Sequence, residues 1–430
     1  MQLHRNSFII KPSSNITKQF SNLENKQEDT LKAVGSKLWN ALGIDTEFKD
    51  QEEKSGREIL PIIIESDDTA ILQLPWELLY HPKFGFLAKD PRFTLSRSIS
   101  KTPKLDVSLE KSPLRILYFS TLPDDLKESE RLAVENEQVA VLESLLPFIK
   151  EGLVELQIPY DGRFESLDRY IKRFEPHLVF LSGHGIYDKG VGYFLFEDKR
   201  GLRVEINEQR LTLAFNGSTV ECVVLSSCQS AKTESDELNN GLARALAFEG
   251  IKNVIGMSES IYEQAGTSFV ENFMKVLSGK NAISIALQEA RKEISKLEGV
   301  VSSHWFLPLL ISQDISTPLI DWSFTPKIPS REMTNQKLNQ IIFPKLFIGR
   351  RCEFREFYNY LYGKELKKLL IYGEGGIGKS ALAGKFGLEL RHEGYKVFDY
   401  SLKHGDDFDS FLMDVEFSLS KERQETYKNI

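Results

Sequence analysis

Between residues 114 and 296 the chain carries five short apolar runs, and four of them lead into segments with helical spacing. The runs are RILYFST (115–121), VELQIPY (154–160), HLVFLSGHG (177–185), ECVVLSSC (221–228) and KNVIGM (252–257). The helical segments lie near 127–150, 164–174, 237–249, and 262–278 with 281–296. Runs this short and this apolar suit strands buried on both faces, and strands alternating with helices argue for a mainly parallel sheet covered by helices. The segment YFLFEDKRGLRVEI (193–206) breaks the alternation and reads as a β-hairpin with Gly201 in its turn.

The flanks read differently. EILPIII (58–64) and LQLPWELLY (72–80) are apolar islands, and the charged residues 19–57 predict a mobile helix pair. Pro103 and Pro113 mark a connector. After Phe324 the prolines multiply and the apolar runs stop, so a linker is expected before a new unit. The expected division is an N-terminal segment 1–105, an α/β core 106–320, a linker 321–342 and a second, truncated domain 343–430.

Composition excludes several classes. Hydrophobic residues make up 41% and charged residues 27%, as in an ordinary globular protein rather than a disordered or fibrous one. The net charge of −7 is the wrong sign for a general nucleic-acid binder. Cys222, Cys228 and Cys352 are three cysteines without metal-ligand spacing, which points to a reducing compartment. There is no signal-peptide core and no apolar run of membrane-spanning length, so a cytoplasmic location is expected.

Two of the apolar runs end in reactive residues: Ser182-Gly183-His184-Gly185 and Ser226-Ser227-Cys228-Gln229. Open α/β sheets bind ligands beyond the carboxyl ends of their strands, where both His184 and Cys228 are expected. A thiol needs a base or a charged neighbour to ionise at neutral pH, and an imidazole titrates there. Gly183 and Gly185 would let the chain approach a substrate closely. The Gly185 and Cys228 amides are candidate oxyanion donors. Cys222, His177 and His304 read as structural.

SGHG followed by LSSCQSA resembles the CHAT family, the caspase-like cysteine peptidases related to separase. LPWELLYHPKFGFLAKDPRFTLSRS (74–98), LARALAFEGIKNVIGM (242–257) and HWFLPLLI (304–311) resemble the front, middle and closing segments of that domain. The resemblance spans roughly 60–312 and implies a caspase-like fold, a His184/Cys228 dyad and endopeptidase activity on a protein substrate, with no cofactor. Family members often have tryptophan soon after VIG, where this chain has Glu259, and the acid expected slightly later is Glu263. Glu234, Asp236 and Glu237 crowd the loop after Cys228, with Lys232 as the one base against these five acids. That excess favours a cationic residue before the scissile bond, with Glu234, Asp236, Glu259 and Glu263 as pocket residues.

Gly373-Glu374-Gly375-Gly376-Ile377-Gly378-Lys379-Ser380 matches the phosphate-binding pattern G-x-x-x-x-G-K-[ST]. KKLLIY (367–372) is expected as the preceding strand and ALAGKFGLEL (381–390) as the following helix. ATP or ADP with Mg²⁺ would sit on the loop amides, with Lys379 at the phosphates and Ser380 on the metal. FIGRRCEFREFYNYL (347–361) resembles the opening of STAND-type NTPases, which places Ile348, Gly349 and Arg350 near the adenine. KVFDYSL (396–402) reads as the next strand, with Asp399 inside it and no convincing Walker B acid. The two resemblances together imply an effector controlled by a nucleotide switch that can self-assemble, as in bacterial defence or programmed cell death. The other reading is an inactive caspase-like scaffold or sensor attached to an NTPase.

Overall fold

The computed structural model describes residues 2–19, 26–100, 109–126, 134–188, 191–227, 236–259, 261–315, 317–327, 335–338, 341–344, 347–363, 368–392 and 394–395, with isolated positions beyond. The chain divides into two compact units, Met1–Ile328 and Pro329–Ile430.

The first unit opens with β1 (Phe8–Ile10), α1 (Glu28–Leu42), α2 (Asp45–Ser55), β2 (Leu60–Glu65), α3 (Thr69–Gln73), the two-residue strands β3 (Tyr80–His81) and β4 (Gly85–Phe86), and β5 (Phe93–Ser98). Of the stretch 19–57 expected as a mobile helix pair, α1 and α2 are packed against the unit, while 20–25 lie outside the described residues. Leu31, Leu38 and Trp39 repeat at helical spacing along one buried face of α1, and Phe48 of α2 packs edge-on against Trp39. The Trp39 indole donates to Asp45 Oδ1 at 2.9 Å, which ties the two helices together. Gly35 is required where α1 crosses the chain at Leu78, because a Cβ there would lie 1.8 Å from the Leu78 carbonyl oxygen.

The five runs form β6 (Leu114–Ser120), β7 (Val154–Gln157), β8 (Leu178–Asp188), β11 (Cys222–Ser227) and β12 (Asn253–Met257). Between them come α4 (Val134–Lys150), α5 (Phe164–Phe174), the hairpin β9 (Val191–Glu197) with β10 (Arg203–Asn207), α6 (Glu208–Leu213) and α7 (Asp236–Phe248). After β12 follow α8 (Glu263–Ser278), α9 (Ile283–Ile294) and β13 (Pro308–Ser312). The hairpin turns at Gly201, whose φ of 84° is open to glycine at little cost.

One eleven-stranded sheet runs β1-β2-β5-β13-β12-β11-β8-β6-β7, with β9 and β10 attached beside β8. Every pair along that path is parallel except β12 with β13. The sheet is therefore two parallel blocks of opposite direction. The carboxyl ends of β6, β8, β11 and β12 share an edge with the amino ends of β13, β5 and β2. Val179, Leu181, Val223, Leu225, Leu117 and Phe119 face one core cluster with Phe194, Phe196 and the apolar side of α7.

A buried ion triad holds the reversed block in place. The Glu77 carboxylate accepts both Arg97 Nη1 (2.5 Å) and Nη2 (2.8 Å), and Arg291 Nη2 of α9 at 3.0 Å. Arg97 Nε and Nη2 also donate to the Leu72 and Leu74 carbonyls, and Arg291 Nε and Nη2 to the Pro308 carbonyl. All three side chains are essentially sealed from solvent. Burial lowers the Arg291 pKa to about 10, and Glu77 opposes that fall.

In the second unit, within the expected linker and domain start, β14 (Asn335–Leu338) pairs antiparallel with β15 (Ile341–Pro344). α10 (Arg351–Tyr362) and α11 (Lys379–His392) follow. The expected strand at 367–372 is not formed: residues 368–372 carry no strand, and Leu370 and Tyr372 are exposed. An apolar run makes a strand only where a neighbour completes its ladder, and among the described residues these pair with none. The strand expected at 396–402, with Asp399, lies outside the described residues.

Candidate active site

β8 changes partners at the site. Residues up to Ser182 pair with β6 and up to Gly183 with β11, both parallel. From His184 onward the same strand pairs antiparallel with β9, beginning with His184 opposite Leu195. His184 thus stands where β8 leaves the flat sheet. It is buried, and by alternation it shares a face of β8 with Phe180 and Ser182. Phe180 stacks on Tyr118 at 5.2 Å below it.

Ser227, the last residue of β11, is the register partner of Gly183. Cys228 follows Ser227 in the sequence, as His184 follows Gly183 on β8. Cys228 itself lies outside the described residues, together with Lys232 and Glu234. Asp236 begins α7, and the side chains of Asp236 and Glu237 are likewise not described.

Gly183 has a different use from the one expected. A Cβ on it would come within 2.2 Å of Thr121 Oγ1 and 3.0 Å of the Phe194 ring. Its bareness serves internal packing behind the site. Gly185 is buried within the β8–β9 ladder, opposite Phe194.

Several residues that sequence reasoning missed fix this corner. Thr121 Oγ1 donates to the Leu195 carbonyl at 2.6 Å, which anchors the strand opposite His184. The buried Glu197 carboxylate accepts the Leu122 amide at 2.7 Å, joining the loop after β6 to β9. On the His184 face, Ser182 Oγ donates to Glu137 Oε2 of α4 at 2.6 Å. Burial pushes the Glu137 carboxyl above the usual range, the Ser182 and Tyr118 hydroxyls oppose the shift, and the charge of Glu263 adds to it. No motif flagged Glu137, since an acid in a charged helical segment looks like a solvated face.

The acids expected in a specificity pocket part company. Glu259 is ion-paired with Lys26 at 2.6 Å, so its charge is already answered within the chain. Glu263 is exposed in the first turn of α8, electrostatically linked to Glu137. Cys222 is buried inside β11, and desolvation pushes its thiol far above the usual range. His177 lies at the opposite end of β8, where its Nδ1 accepts the Arg115 amide at 3.1 Å and its Nε2 meets Glu110 at 3.1 Å. Burial lowers its pKa, and the hydrogen-bonded ring is structural.

In the second unit, Gly373, Gly376 and Gly378 all have positive φ. A Cβ at Gly375, Gly376 or Gly378 would meet nothing within 4 Å, so the loop backbone is bare. Lys379, the first residue of α11, donates through Nζ to the Gly373 carbonyl (3.0 Å) and the Glu374 carbonyl (2.7 Å). Arg350 Nη2 reaches the Ile377 carbonyl at 3.0 Å. The loop and helix suit a phosphate chain, while the described residues before the loop, 368–372, form no strand. Among the described residues no group of three His, Cys, Asp or Glu side chains could hold a metal ion, and no helix is long and apolar enough to cross a membrane.

The CHAT domain model matches residues 32–327. No curated protein matches the chain. Among solved structures, the Arg-specific cysteine proteinase gingipain R is similar at 10% identity, over 77% of this chain and 81% of that one, with a TM-score of 0.42. Saccharomyces cerevisiae separase, solved with securin, is similar at 13% identity over 64% of this chain and 17% of that one, with a TM-score of 0.36. The Drosophila initiator caspase Dronc is similar at 11% identity over 47% of this chain and 85% of that one, with a TM-score of 0.31.

Proposed function

The chain belongs to the CHAT domain family, and from that premise we propose that it is a cysteine endopeptidase whose dyad is His184 and Cys228. The observation that carries the reading is the register of β8 on β11. Gly183 lies opposite Ser227, and His184 and Cys228 are the residues that follow these two in the sequence, which supports the dyad. In this reading His184 takes the thiol proton as general base, and the Cys228 thiolate attacks the scissile carbonyl carbon. The Gly185 and Cys228 amides stabilise the oxyanion that forms. His184 then returns the proton to the leaving amine, and water releases the acyl group from sulfur.

The second unit is read as a nucleotide-binding switch over the effector, acting on a protein substrate and assembling through that unit. The bare glycine loop and the start of α11 at Lys379 support this reading. Gly373, Gly375, Gly376, Gly378, Lys379 and Ser380 would hold ATP or ADP with Mg²⁺, which would supply the charge that draws Lys379 off its own loop carbonyls. A role in bacterial defence or programmed cell death follows from the family resemblance.

The deciding experiment is N-terminal peptide profiling of a proteome incubated with the wild-type chain or with Cys228→Ala. New N-termini that appear only with the wild type support the endopeptidase. Identical profiles from the two overturn it.

A further inference from the structure

The dipeptide Asn-Gly occurs twice, at Asn216–Gly217 and at Asn240–Gly241. Glycine carries no Cβ, so its amide nitrogen can close on the carboxamide carbon of the asparagine before it. In an unfolded chain that approach leads to reaction. In a folded chain it requires that both groups be unengaged and the peptide between them able to turn. The two pairs stand in opposite settings.

Asn216 and Gly217 are exposed and lie in the turn between α6 and β11. The Phe215 carbonyl accepts the Ser218 amide at 3.1 Å, which closes the turn and passes over its central peptide. Among the described residues, neither the Asn216 carboxamide nor the Gly217 amide has a hydrogen-bond partner. Gly217 has a φ of 68°, and a Cβ built on it would meet nothing within 4 Å, so the peptide has open space around it. Asn240–Gly241 instead lies inside α7. In a helix each amide is committed to the carbonyl four residues back, and the dihedrals are held in one well.

The turn also borders a charged part of the fold. Asn216 lines a cavity of about 470 Å³ with Glu110, Glu221 and Glu249, at the amino ends of β8, β11 and β12. Lys252, on the same cavity, is already paired with Glu221 at 3.5 Å. Here β11 is set against β8, because the Glu221 and Cys222 amides both donate to the His177 carbonyl, at 2.9 and 3.0 Å.

We infer that Asn216 is a modification site, converted spontaneously to aspartate and isoaspartate, and that Asn240 is protected from the same reaction. The Gly217 nitrogen attacks Asn216 Cγ. The N–Cγ bond forms, the Cγ–Nδ2 bond breaks, and ammonia leaves with the amide proton. The resulting succinimide takes up one water, and nothing is oxidised or reduced. Opening at Cγ gives aspartate. Opening at the main-chain carbonyl gives isoaspartate, whose backbone runs through Cβ and Cγ and is one atom longer. Either product adds a carboxylate to a cavity already lined by acids, and isoaspartate also lengthens the connection that sets β11 on β8. The inference does not rest on the endopeptidase reading.

The test holds the full chain, with Cys228→Ala to keep it intact, at neutral and at mildly alkaline pH. Peptide-mass mapping follows both sites, and enzymatic methylation with a labelled methyl donor counts isoaspartate. Asn216 should convert at least about tenfold faster than Asn240, since a helical amide must first break its hydrogen bond and open locally. The rate at Asn216 should rise with pH, because the attacking amide loses its proton. In urea the two sites should convert at similar rates, since only the fold separates them. Equal rates in the folded chain, or faster conversion at Asn240, overturns the inference. Aspartate without isoaspartate overturns the succinimide route. Aged protein should melt below fresh protein, and Asn216→Gln aged in parallel should not. Equal losses in the two overturn the effect on the fold.

Discussion

The Ser182 hydroxyl donates to the Glu137 carboxylate at 2.6 Å, two residues before His184 on the same face of the same strand. The bond ties α4 to the strand that carries the proposed base. Because burial raises the Glu137 pKa, the folded state holds its proton more tightly than the unfolded chain. Glu137 therefore adds stability below the ordinary glutamate pKa and loses it as pH rises through its folded value. Glu137→Gln, which still accepts from Ser182, should match the wild type in acid and melt higher than it at neutral pH. Thermal melts of both proteins from pH 4 to 8 check this; a difference independent of pH would exclude ionisation of Glu137 as the cause.

His184→Ala and Cys228→Ala should each reduce kcat/KM by on the order of 10³-fold or more, with the double variant little worse, because a dyad fails as a unit. Alkylation should follow the same division. Cys228 should react with iodoacetamide at a rate that falls when His184 is removed. Cys222, sealed in β11 with its thiol pKa pushed up, should react only in denaturant. Peptide mapping of the labelled protein distinguishes the two sites.

Glu77→Gln should destabilise the first unit by about 3–5 kcal/mol, since it leaves the guanidiniums of Arg97 and Arg291 buried without a counter-charge. Replacing all three by apolar residues of similar volume should cost much less. Urea unfolding of the two variants separates these outcomes.

Gly183→Ala should destabilise by about 1–3 kcal/mol through overpacking against Thr121 and Phe194, and should lower activity with it. Retained stability with lost activity would instead return Gly183 to the substrate-facing role.

Lys379→Ala should weaken ATP binding about tenfold or more while leaving the melting transition of the first unit in place. Titration of a fluorescent ATP analogue measures the first, and calorimetric scanning the second.

Sequence reading captured what local pattern encodes. The runs at 115–121, 154–160, 177–185, 221–228 and 252–257 became strands because their burial is written in every residue, and the hairpin at Gly201 because a turn is local. What it missed depends on residues far apart. Lys26 answers Glu259, and Glu77 joins Arg97 to Arg291, across separations that no window spans. The antiparallel entry of β13 was hidden for the same reason, since PLLIS looks alike in either direction. KKLLIY differs in the opposite sense: its composition suits a strand, but its described residues, 368–372, form none. Of the site, the alignment of β8 with β11 was legible from where the two runs end, while the second use of Gly183 required knowing that Thr121 stands behind it.

The reversal at β12 and β13 also sets a timetable for synthesis. Arg97 of β5 is paired with Ile311 of β13, and β13 is what links β5 to the rest of the sheet. The ribosome supplies that link roughly 210 residues after β5 has emerged, on the order of 10–40 s later at ~5–20 residues per second. Through that interval the edge of β5 that β13 will occupy lacks the ladder partner it has in the folded sheet. The proposed dyad residues are both made before that edge is paired. A protease assembled this way completes its scaffold only after its chemistry has been translated, and its yield in a cell should depend on whatever shields β5 in the meantime.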